Sequence, residues 1–251
     1  MISLFDKYIS VSIPAGDNIK NVVAKYNDSE INLVEGVNEL KSLGRIKRLD
    51  FNCKYVLLLP AENLYYQSFS LDNSSNFRIS ESSFLGELNS AEVNLKDDYY
   101  YDYLEFNVEQ EKDQIKEYKF FAVEKEMIHH LTRNLDKYRN NYLVSALPAA
   151  VYSVVNDIRD EANYLLYYKI EDHYTLLGVY NNQLDLLQSS LDKEELESEI
   201  ERISKYYLNS KSAEMKVLRG SSKLLKINEA ADLNEDNFIY LSSLLWSVSQ
   251  C

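Results

Sequence analysis

The sequence predicts a mixed α/β fold with two similar halves, in which helices pack on mixed sheets. Three observations lead to this prediction. Each half begins with three short runs rich in Val, Ile, Leu and Tyr, separated by tight turns, which is the pattern of a three-strand meander. Each meander is followed by alternating helix and strand patterns. The clearest helix pattern, over residues 192–208, has one apolar face of the kind that packs on a sheet.

The first half opens with strands and turns. The predicted meander strands are Tyr8–Ile13, Asn21–Tyr26 and Glu30–Val34. They are separated by the segments PAGDN and NDS, whose residues favour turns. Lys54–Leu59 predicts a central strand, because its apolar run YVLLL suits burial on both faces and ends at a proline. Leu64–Leu71 alternates between apolar and polar residues and predicts a further strand.

The rest of the first half predicts a short helix, a hairpin, a longer helix, a strand and a further helix. The short helix is Ser80–Asn89, and the hairpin joins Tyr100–Val108 to Glu117–Val123. Glu124–Tyr138 predicts a helix with an apolar stripe, which comprises Met127, Leu131, Leu135 and Tyr138. Tyr142–Leu147 predicts a strand, and Pro148 then opens a helix at a position where proline is tolerated.

The second half has the same pattern, in which a three-strand meander is followed by helices and a strand. Its predicted meander strands are Asn163–Ile170, Tyr174–Tyr180 and Gln183–Gln188. Asp192–Leu208 is a helix that Asp192 and Glu195 would start as a capping box, with an apolar stripe of Leu196, Ile200, Ile203 and Tyr207. Glu214–Leu218 predicts a strand, and Asn237–Ser249 a last helix with Phe238, Leu241, Leu245 and Val248 on one face. We expect the two halves to be residues 1–161 and 162–251, linked by residues 158–161.

Composition narrows the classes of partner. The chain has 251 residues and a net charge of −13, which argues against nucleic acid or an anionic membrane surface as the main partner. Two cysteines exclude a disulfide framework and a cysteine-based zinc site, and they fit a reducing cytoplasm. The N-terminal residues lack the pattern of a signal peptide, and no apolar run has the ~18 residues that a membrane span needs. We therefore expect a soluble cytoplasmic protein.

Few residues suit catalysis. His129 and His130 are neighbours on a predicted helix, so their side chains point about 100° apart and cannot share a metal. His173 lies in a predicted turn, and Cys53 is expected to be a small core residue. No two of the six glycines lie within five residues of each other. A Walker loop and a dinucleotide-binding loop both need several close glycines, so both are excluded.

With these elements in place, the chain resembles the actin-like assembly proteins of type IV pili and type II secretion, the PilM and GspL families. The segment YVLLLPAENLYYQSFSLD is similar to the strand–Pro–strand segment of these families, and LESEIERISKYYL is similar to the E-I-x-R-S-x-x-Y-Y helix of PilM-type proteins. The segment VLRGSSKLLKI falls where the families have a glycine-rich adenosine turn. The resemblance implies an actin-like (ribonuclease H-like) fold.

The resemblance also implies where a nucleotide would bind and where the chain departs from that pattern. Actin-like ATPases carry D-I-G in the first hairpin, whereas this chain has Ser12 in place of the Asp and Pro14 in place of the Gly. A second D-I-G hairpin would fall in LYYKIEDHYTLL, where it is replaced. What remains of a degenerate nucleotide site would comprise Gly220, Ser221, Glu199 and Arg202. We therefore expect no cofactor and no ATP hydrolysis, with ATP and Mg²⁺ left as ligands to be tested.

By this resemblance, we expect a non-catalytic cytoplasmic scaffold at the inner face of the membrane, peripheral to it. It would bind the cytoplasmic tail of an inner-membrane pilus or secretion assembly protein, and an assembly ATPase or a second copy of itself are further candidate partners. Two alternatives differ in class. An active actin-like ATPase or sugar-kinase relative would have displaced nucleotide motifs. A divisome-type, membrane-tethered actin homologue would end in a basic amphipathic helix, but Leu241–Cys251 has no basic residue.

Overall fold

A computed structural model describes residues 7–26, 31–43, 53–72, 98–109, 114–133, 142–225 and 237–250. These residues form twelve strands and four α-helices. The strands are β1 (Lys7–Ala15), β2 (Asn18–Tyr26), β3 (Ile31–Leu40), β4 (Cys53–Leu59), β5 (Tyr65–Asp72), β6 (Tyr99–Glu109), β7 (Gln114–Glu124), β8 (Tyr142–Ala146), β9 (Tyr164–Ile170), β10 (His173–Tyr180), β11 (Gln183–Leu191) and β12 (Lys216–Arg219). The helices are α1 (Lys125–Thr132), α2 (Leu147–Ile158), α3 (Lys193–Lys211) and α4 (Phe238–Ser249). The predicted helix Ser80–Asn89 lies outside the described residues.

The chain divides into two compact units. Unit 1 comprises Met1–Glu62 and Asn134–Cys251, and unit 2 comprises Asn63–Arg133. Unit 1 contains a five-stranded and a four-stranded sheet, which lie on either side of residue 161 in the sequence. The expected division into 1–161 and 162–251 stays a prediction.

The two sheets of unit 1 share one strand order. The five-stranded sheet runs β3-β2-β1-β4-β8, with an antiparallel meander of β1 to β3 and parallel pairing of β1, β4 and β8. The four-stranded sheet runs β11-β10-β9-β12, with the same antiparallel meander and a parallel fourth strand. Its order matches the first four strands of the larger sheet. The predicted duplication of a three-strand meander is therefore present.

Helix α3 forms as the sequence predicts. The Asp192 side chain accepts the Glu195 N–H at 2.9 Å, and the Glu195 side chain accepts the Asp192 N–H at 2.9 Å, which completes the capping box. The buried face packs into a cluster that joins helix and sheet; its members are Leu165, Leu176, Leu196, Ile203, Tyr207, Ala213 and Met215. Ile200 is partly buried against it.

Two predicted helix faces agree with the structure only in part, although Phe238 and Leu241 of α4 are buried as predicted. Helix α4 packs against α2 and β1 and is buried nearly all round, so Leu244 and Ser247 are buried while Leu245 and Val248 are only half-buried. A helix covered on most sides has no single apolar stripe for sequence periodicity to find. In α1 the buried residues are Ile128 and Thr132, while Met127 and Leu131 are half-buried. The positions predicted as the end of its stripe, Leu135 and Tyr138, lie outside the described residues.

Unit 2 contains a three-stranded antiparallel sheet in the order β5-β7-β6, followed by α1. Its central strand β7 is buried on both faces, since the neighbouring residues Phe120 and Phe121 are both buried. This matches the predicted hairpin of β6 and β7. Among the described residues of the chain, no helix is long and apolar enough to cross a membrane.

Candidate functional site

Two hairpin turns of unit 1 form the centre of the candidate site. In the first, Ala15 pairs with Asn18, so Gly16 and Asp17 make a two-residue turn, and Gly16 has a φ of +53°. In the second, Ile170 pairs with His173 across Glu171 and Asp172. Glu171 has a φ of 51°, a region that glycine adopts readily and that costs other residues about 1 kcal/mol or more. A glutamate therefore stands in a turn where glycine would be the ordinary choice.

The two turns meet. A Cβ atom added to Gly16 would lie 3.2 Å from Oε2 of Glu171, so the glutamate side chain reaches the first turn. Beside them is a pocket of about 330 Å³, formed by the ends of both hairpins and the first turn of α4. Its lining residues are Ile13, Ala15, Lys20, Val37, Lys169, Ile170, Glu171, Asn237, Ile239 and Tyr240. These are the two hairpins at which the resemblance implies phosphate contact, and here a carboxylate lies at their junction.

The charges around this pocket largely pair with one another. Lys20 binds Glu39, and Lys169 Nζ lies 3.8 Å from Asp172 Oδ1. The hydrogen bond from Lys20 holds the pKa of Glu39 below its usual range. Burial raises the pKa of Tyr240, and the charges of Glu171 and Glu39 raise it further. The pocket thus has acidic as well as basic walls, which differs from the uniformly positive setting of a phosphate site.

Ser12 is engaged inside the sheet. It is 2% exposed and lies opposite Asn21 in the β1–β2 register. Asn21 Nδ2 donates to the Oγ atoms of Ser10 and Ser12, each at 2.9 Å, and to the carbonyl oxygen of Val11 at 3.0 Å. A buried hydroxyl held in this way cannot replace the carboxylate that a Mg²⁺ site needs. Among the described residues, no group of three or more His, Cys, Asp or Glu could hold a metal.

Gly220 lies against two aromatic residues. An added Cβ would be 2.6 Å from Cδ1 of Phe238 and 2.9 Å from Cβ of Tyr168. The Gly220 N–H donates to the carbonyl oxygen of Tyr167 at 2.7 Å, which fixes the turn after β12. The neighbouring Ser221 accepts the N–H of Leu224 through its main-chain oxygen at 2.9 Å. Glycine is needed here for close packing of side chains, which is a structural role.

Glu199 and Arg202 bind each other on α3. Arg202 Nη2 lies 2.5 Å from Glu199 Oε2, and Gln188 donates to the same carboxylate at 2.9 Å. The hydrogen bonds from Arg202 and Gln188 hold the pKa of Glu199 below its usual range. Both residues therefore have partners within the second half of the chain. That they and Gly220 and Ser221 contact a nucleotide stays a prediction.

The histidines of α1 and Cys53, which the sequence offers as further candidates, lie on the surface and in the core respectively. His129 and His130 are exposed on α1, and His129 Nε2 lies 3.2 Å from the Tyr100 hydroxyl. Cys53 is buried, which agrees with its prediction as a core residue. Sequence reasoning missed Glu171 and Tyr240. The available signal for Glu171 was an acidic residue at the first position of a two-residue turn, where glycine is usual.

Comparison with family models and with curated protein sequences gives no match. Solved structures do match over nearly the whole chain. The cytoplasmic domain of EpsL, an inner membrane component of the type II secretion system of Vibrio cholerae, has a TM-score of 0.60 at 11% identity, covering 97% of this chain and 95% of that one. The PilM–PilN type IV pilus biogenesis complex has a TM-score of 0.62 at 11% identity, covering 96% and 98%.

A third match is a Bacteroides thetaiotaomicron protein with an actin-like ATPase fold and unknown function, with a TM-score of 0.54 at 10% identity and 96% of each chain covered. Identities this low establish the fold and leave function to other arguments. The strand order of the two sheets in unit 1 agrees with the same architecture. The chain therefore has the actin-like fold that the sequence predicted.

Proposed function

We propose that this chain is a non-catalytic scaffold of a type IV pilus or type II secretion assembly platform, working at the cytoplasmic face of the inner membrane. Two of the matching structures, the EpsL cytoplasmic domain and the PilM–PilN complex, come from such machines and support this class. Fold likeness alone does not carry function, so the proposal depends on what this chain has at the position of a nucleotide site.

The observation that carries the non-catalytic part is the contact between Glu171 and Gly16. A γ-phosphate between the two hairpins would meet the Glu171 carboxylate, and like charges repel strongly at such a distance. Side chains also occupy the turn at Gly220, where the resemblance implies contact with adenosine. Phe238 and Tyr168 pack directly on Gly220. The Asn21 amide engages Ser12 where the resemblance implies a metal-binding Asp. Three separate features thus disfavour Mg-ATP.

The partner we propose is the cytoplasmic segment of an inner-membrane assembly protein. Such segments are enriched in Lys and Arg next to the membrane, which complements a chain with a net charge of −13. An extended segment bound at a sheet edge or cleft would combine main-chain hydrogen bonds with side-chain contacts. An assembly ATPase and a second copy of this chain are further partners under the same proposal.

The alternative, an ATPase with displaced motifs, is favoured by the pocket of about 330 Å³ and the two lysines that line it, Lys20 and Lys169. The two functions differ in what they bind. A ligand that binds only the folded state raises the melting temperature. We expect millimolar Mg-ATP to leave the melting temperature of this protein unchanged. A clear rise would support the ATPase.

The scaffold is tested by binding. An inner-membrane assembly protein from the same organism would be truncated to its cytoplasmic segment, and the affinity of that segment for this protein would be measured by titration calorimetry. We expect binding that weakens as salt rises, because the charges are complementary. The control is the same segment with its Lys and Arg replaced by Gln. The absence of binding to the native segment, together with a response to Mg-ATP, would overturn the proposal.

A further inference from the structure

The pocket beside the two hairpin turns contains a tyrosine hydroxyl without a hydrogen bond. Tyr240, in the first turn of α4, lines this pocket and is only 8% exposed. Within the described part of the chain, its hydroxyl has no hydrogen-bond partner. The charges of Glu171 and Glu39 add to burial in raising its pKa, so the hydroxyl lies near these carboxylates. Because buried polar groups usually have a partner, this hydroxyl indicates a ligand.

Glu171, which lines the same pocket, is a carboxylate without a bound cation. It is exposed, and among the described residues it makes neither an ion pair nor a hydrogen bond. The two lysines that line the pocket have other partners, since Lys20 binds Glu39 and Lys169 lies 3.8 Å from Asp172. Glu171 also has a φ of 51°, and residues held in such conformations cluster at binding sites. The unpaired charge of the described lining is therefore negative.

The surroundings of Glu171 contain more carboxylates than lysines. Partial desolvation raises the pKa of Glu62, and the charge of Glu171 raises it further, whereas His173 lowers it. Glu62 thus lies close enough to interact with the charge of Glu171. The groups that act on the pocket are the carboxylates of Glu39, Glu62, Glu171 and Asp172 and the ammonium groups of Lys20 and Lys169. A bound cation would relieve this excess of negative charge, and a bound anion would add to it.

The rest of the pocket suits the stem of a long side chain. Its volume of about 330 Å³ is small among ligand pockets. Asn237, the N-cap residue of α4, makes no side-chain cap hydrogen bond, so its amide oxygen is a further acceptor. The aliphatic part of the described lining comprises Ile13, Ala15, Val37, Ile170 and Ile239. Arginine packs its methylene groups on such a surface, and its guanidinium has five N–H donors for the acceptors beside it.

We propose that this pocket binds a guanidinium group, and that the group belongs to an arginine in the cytoplasmic segment of the inner-membrane partner. The identity of that arginine rests on the proposed function. The guanidinium donates to the Glu171 carboxylate and the Tyr240 hydroxyl, and the methylene stem packs on the aliphatic wall. The carboxylate that repels a phosphate is thus the one that attracts the partner.

The first test uses the arginine side chain alone. N-acetyl-L-arginine amide is titrated into the whole isotope-labelled chain, and the amide chemical shifts give its Kd. The matched ligand is N-acetyl-L-citrulline amide, which has nearly the same shape and no charge. We expect shifts at residues 169–172 and 237–240, and about tenfold or more tighter binding of the arginine probe, because only its hydrogen bonds are charge-assisted. Equal binding of the two probes would overturn the inference.

Variants of the chain locate the site. Glu171→Gln keeps the size of the side chain and should weaken binding of the arginine probe about tenfold or more. The control Glu197→Gln makes the same charge change at an exposed position of α3, no residue of which belongs to the described lining, and should change the Kd by less than about twofold. Tyr240→Phe removes only the hydroxyl and should weaken binding about threefold or more. Circular dichroism confirms that the variants fold. Undiminished binding to the Glu171→Gln and Tyr240→Phe variants would overturn the inference.

Inorganic phosphate tests the opposite interpretation of the pocket. Lys20, Lys169 and the N-terminal end of α4 are features that favour an anion. We expect phosphate to leave the amides of residues 169–172 unshifted, because Glu171 has no cation to neutralise it. Shifts with phosphate, together with no response to the arginine probe, would overturn the inference.

The native cytoplasmic segment separates this inference from the proposed function. If Glu171→Gln weakens the binding of the segment, the arginine is the partner's. If the substitution weakens only the probe, the pocket binds a free guanidinium compound, the partner binds elsewhere and the scaffold function stands. If the probe binds through Glu171 but the segment does not bind at all, the guanidinium site stands and the proposed partner is wrong.

Discussion

At the scale of single residues, packing and hydrogen bonds within the chain occupy the positions at which the resemblance implies a nucleotide. Asn21 binds Ser12 and Phe238 packs on Gly220, two residues at which the resemblance implies nucleotide contact. Glu171 reaches Gly16, in the turn of the first hairpin. These residues have contacts within the chain, so substitutions there report on folding.

Gly220 gives the clearest case. We expect Gly220→Ala to lower the free energy of unfolding by about 1–3 kcal/mol, because its Cβ would lie 2.6 Å from Phe238 and force the ring to move. Urea denaturation measures the change. Gly36→Ala is the control, since no atom lies within 4 Å of the added Cβ, and it should change stability by less than about 0.5 kcal/mol. Equal effects of the two substitutions would contradict the packing at Gly220.

The Asn21 amide is expected to couple to Ser12. Asn21→Val should destabilise by about 2 kcal/mol, because two buried hydroxyls and a carbonyl lose a donor. Adding Ser12→Ala to this variant removes one of the stranded hydroxyls and should cost less than Ser12→Ala does alone. A double-mutant cycle by urea denaturation measures the coupling, expected at about 1 kcal/mol. Strict additivity would mean that the Asn21–Ser12 contact contributes nothing.

At the scale of elements, the sequence predicts best where one face of an element is buried. Strands β1, β2, β4, β9 and β10 and helix α3 lie close to their predicted positions, because apolar periodicity, turn residues and a capping box act locally. Helix α4 shows the limit. It is buried nearly all round, so its burial follows from what packs against it and leaves no stripe in the sequence.

The candidate site was predictable only in part. The sequence locates the two hairpins and shows that neither has the D-I-G pattern of actin-like ATPases, because a local pattern is sufficient to reveal both. Glu171 reaches Gly16 because two turns that are far apart in the sequence meet in space. No local sequence pattern encodes such a contact. For the same reason, Phe238 could be predicted on a helix but not beside Gly220.

The two ends of α3 are expected to respond in opposite directions. Asp192→Ala removes the capping box and should destabilise by about 1 kcal/mol, because the Glu195 N–H loses its acceptor. Ser212, at the C-terminal end, has a φ of 50°, so Ser212→Gly should stabilise by a few tenths of a kcal/mol or more. Thermal melts of both variants measure the shifts. A stabilising Asp192→Ala would contradict the cap.

At the scale of the whole molecule, many tyrosines are buried in an acidic protein. Of the 21 tyrosines, five described ones are each 2% exposed or less: Tyr55, Tyr118, Tyr164, Tyr168 and Tyr207. Burial raises the pKa of Tyr152 to about 12, and it also raises the pKa of Tyr164, Tyr168 and Tyr240. A buried phenol stays protonated in the folded state at a pH where an unfolded chain has lost the proton. The free energy of unfolding therefore depends on pH in the alkaline range.

The sign of that linkage gives a prediction. Since the folded pKa of Tyr152 lies above the unfolded value of about 10, its contribution is full below pH 10 and is lost as the pH rises towards 12. The free energy of unfolding should therefore fall steeply between about pH 10 and pH 12, as measured by urea denaturation at each pH with absorbance at 295 nm to follow ionisation. Tyr152→Phe should make the fall shallower, although it also loses the bond to the Asn182 carbonyl at 2.7 Å. The control is Tyr206→Phe, at a 52% exposed position, which should leave the fall in the free energy of unfolding unchanged. A free energy of unfolding that stays constant up to pH 12 would show that the buried tyrosines ionise without opening the fold.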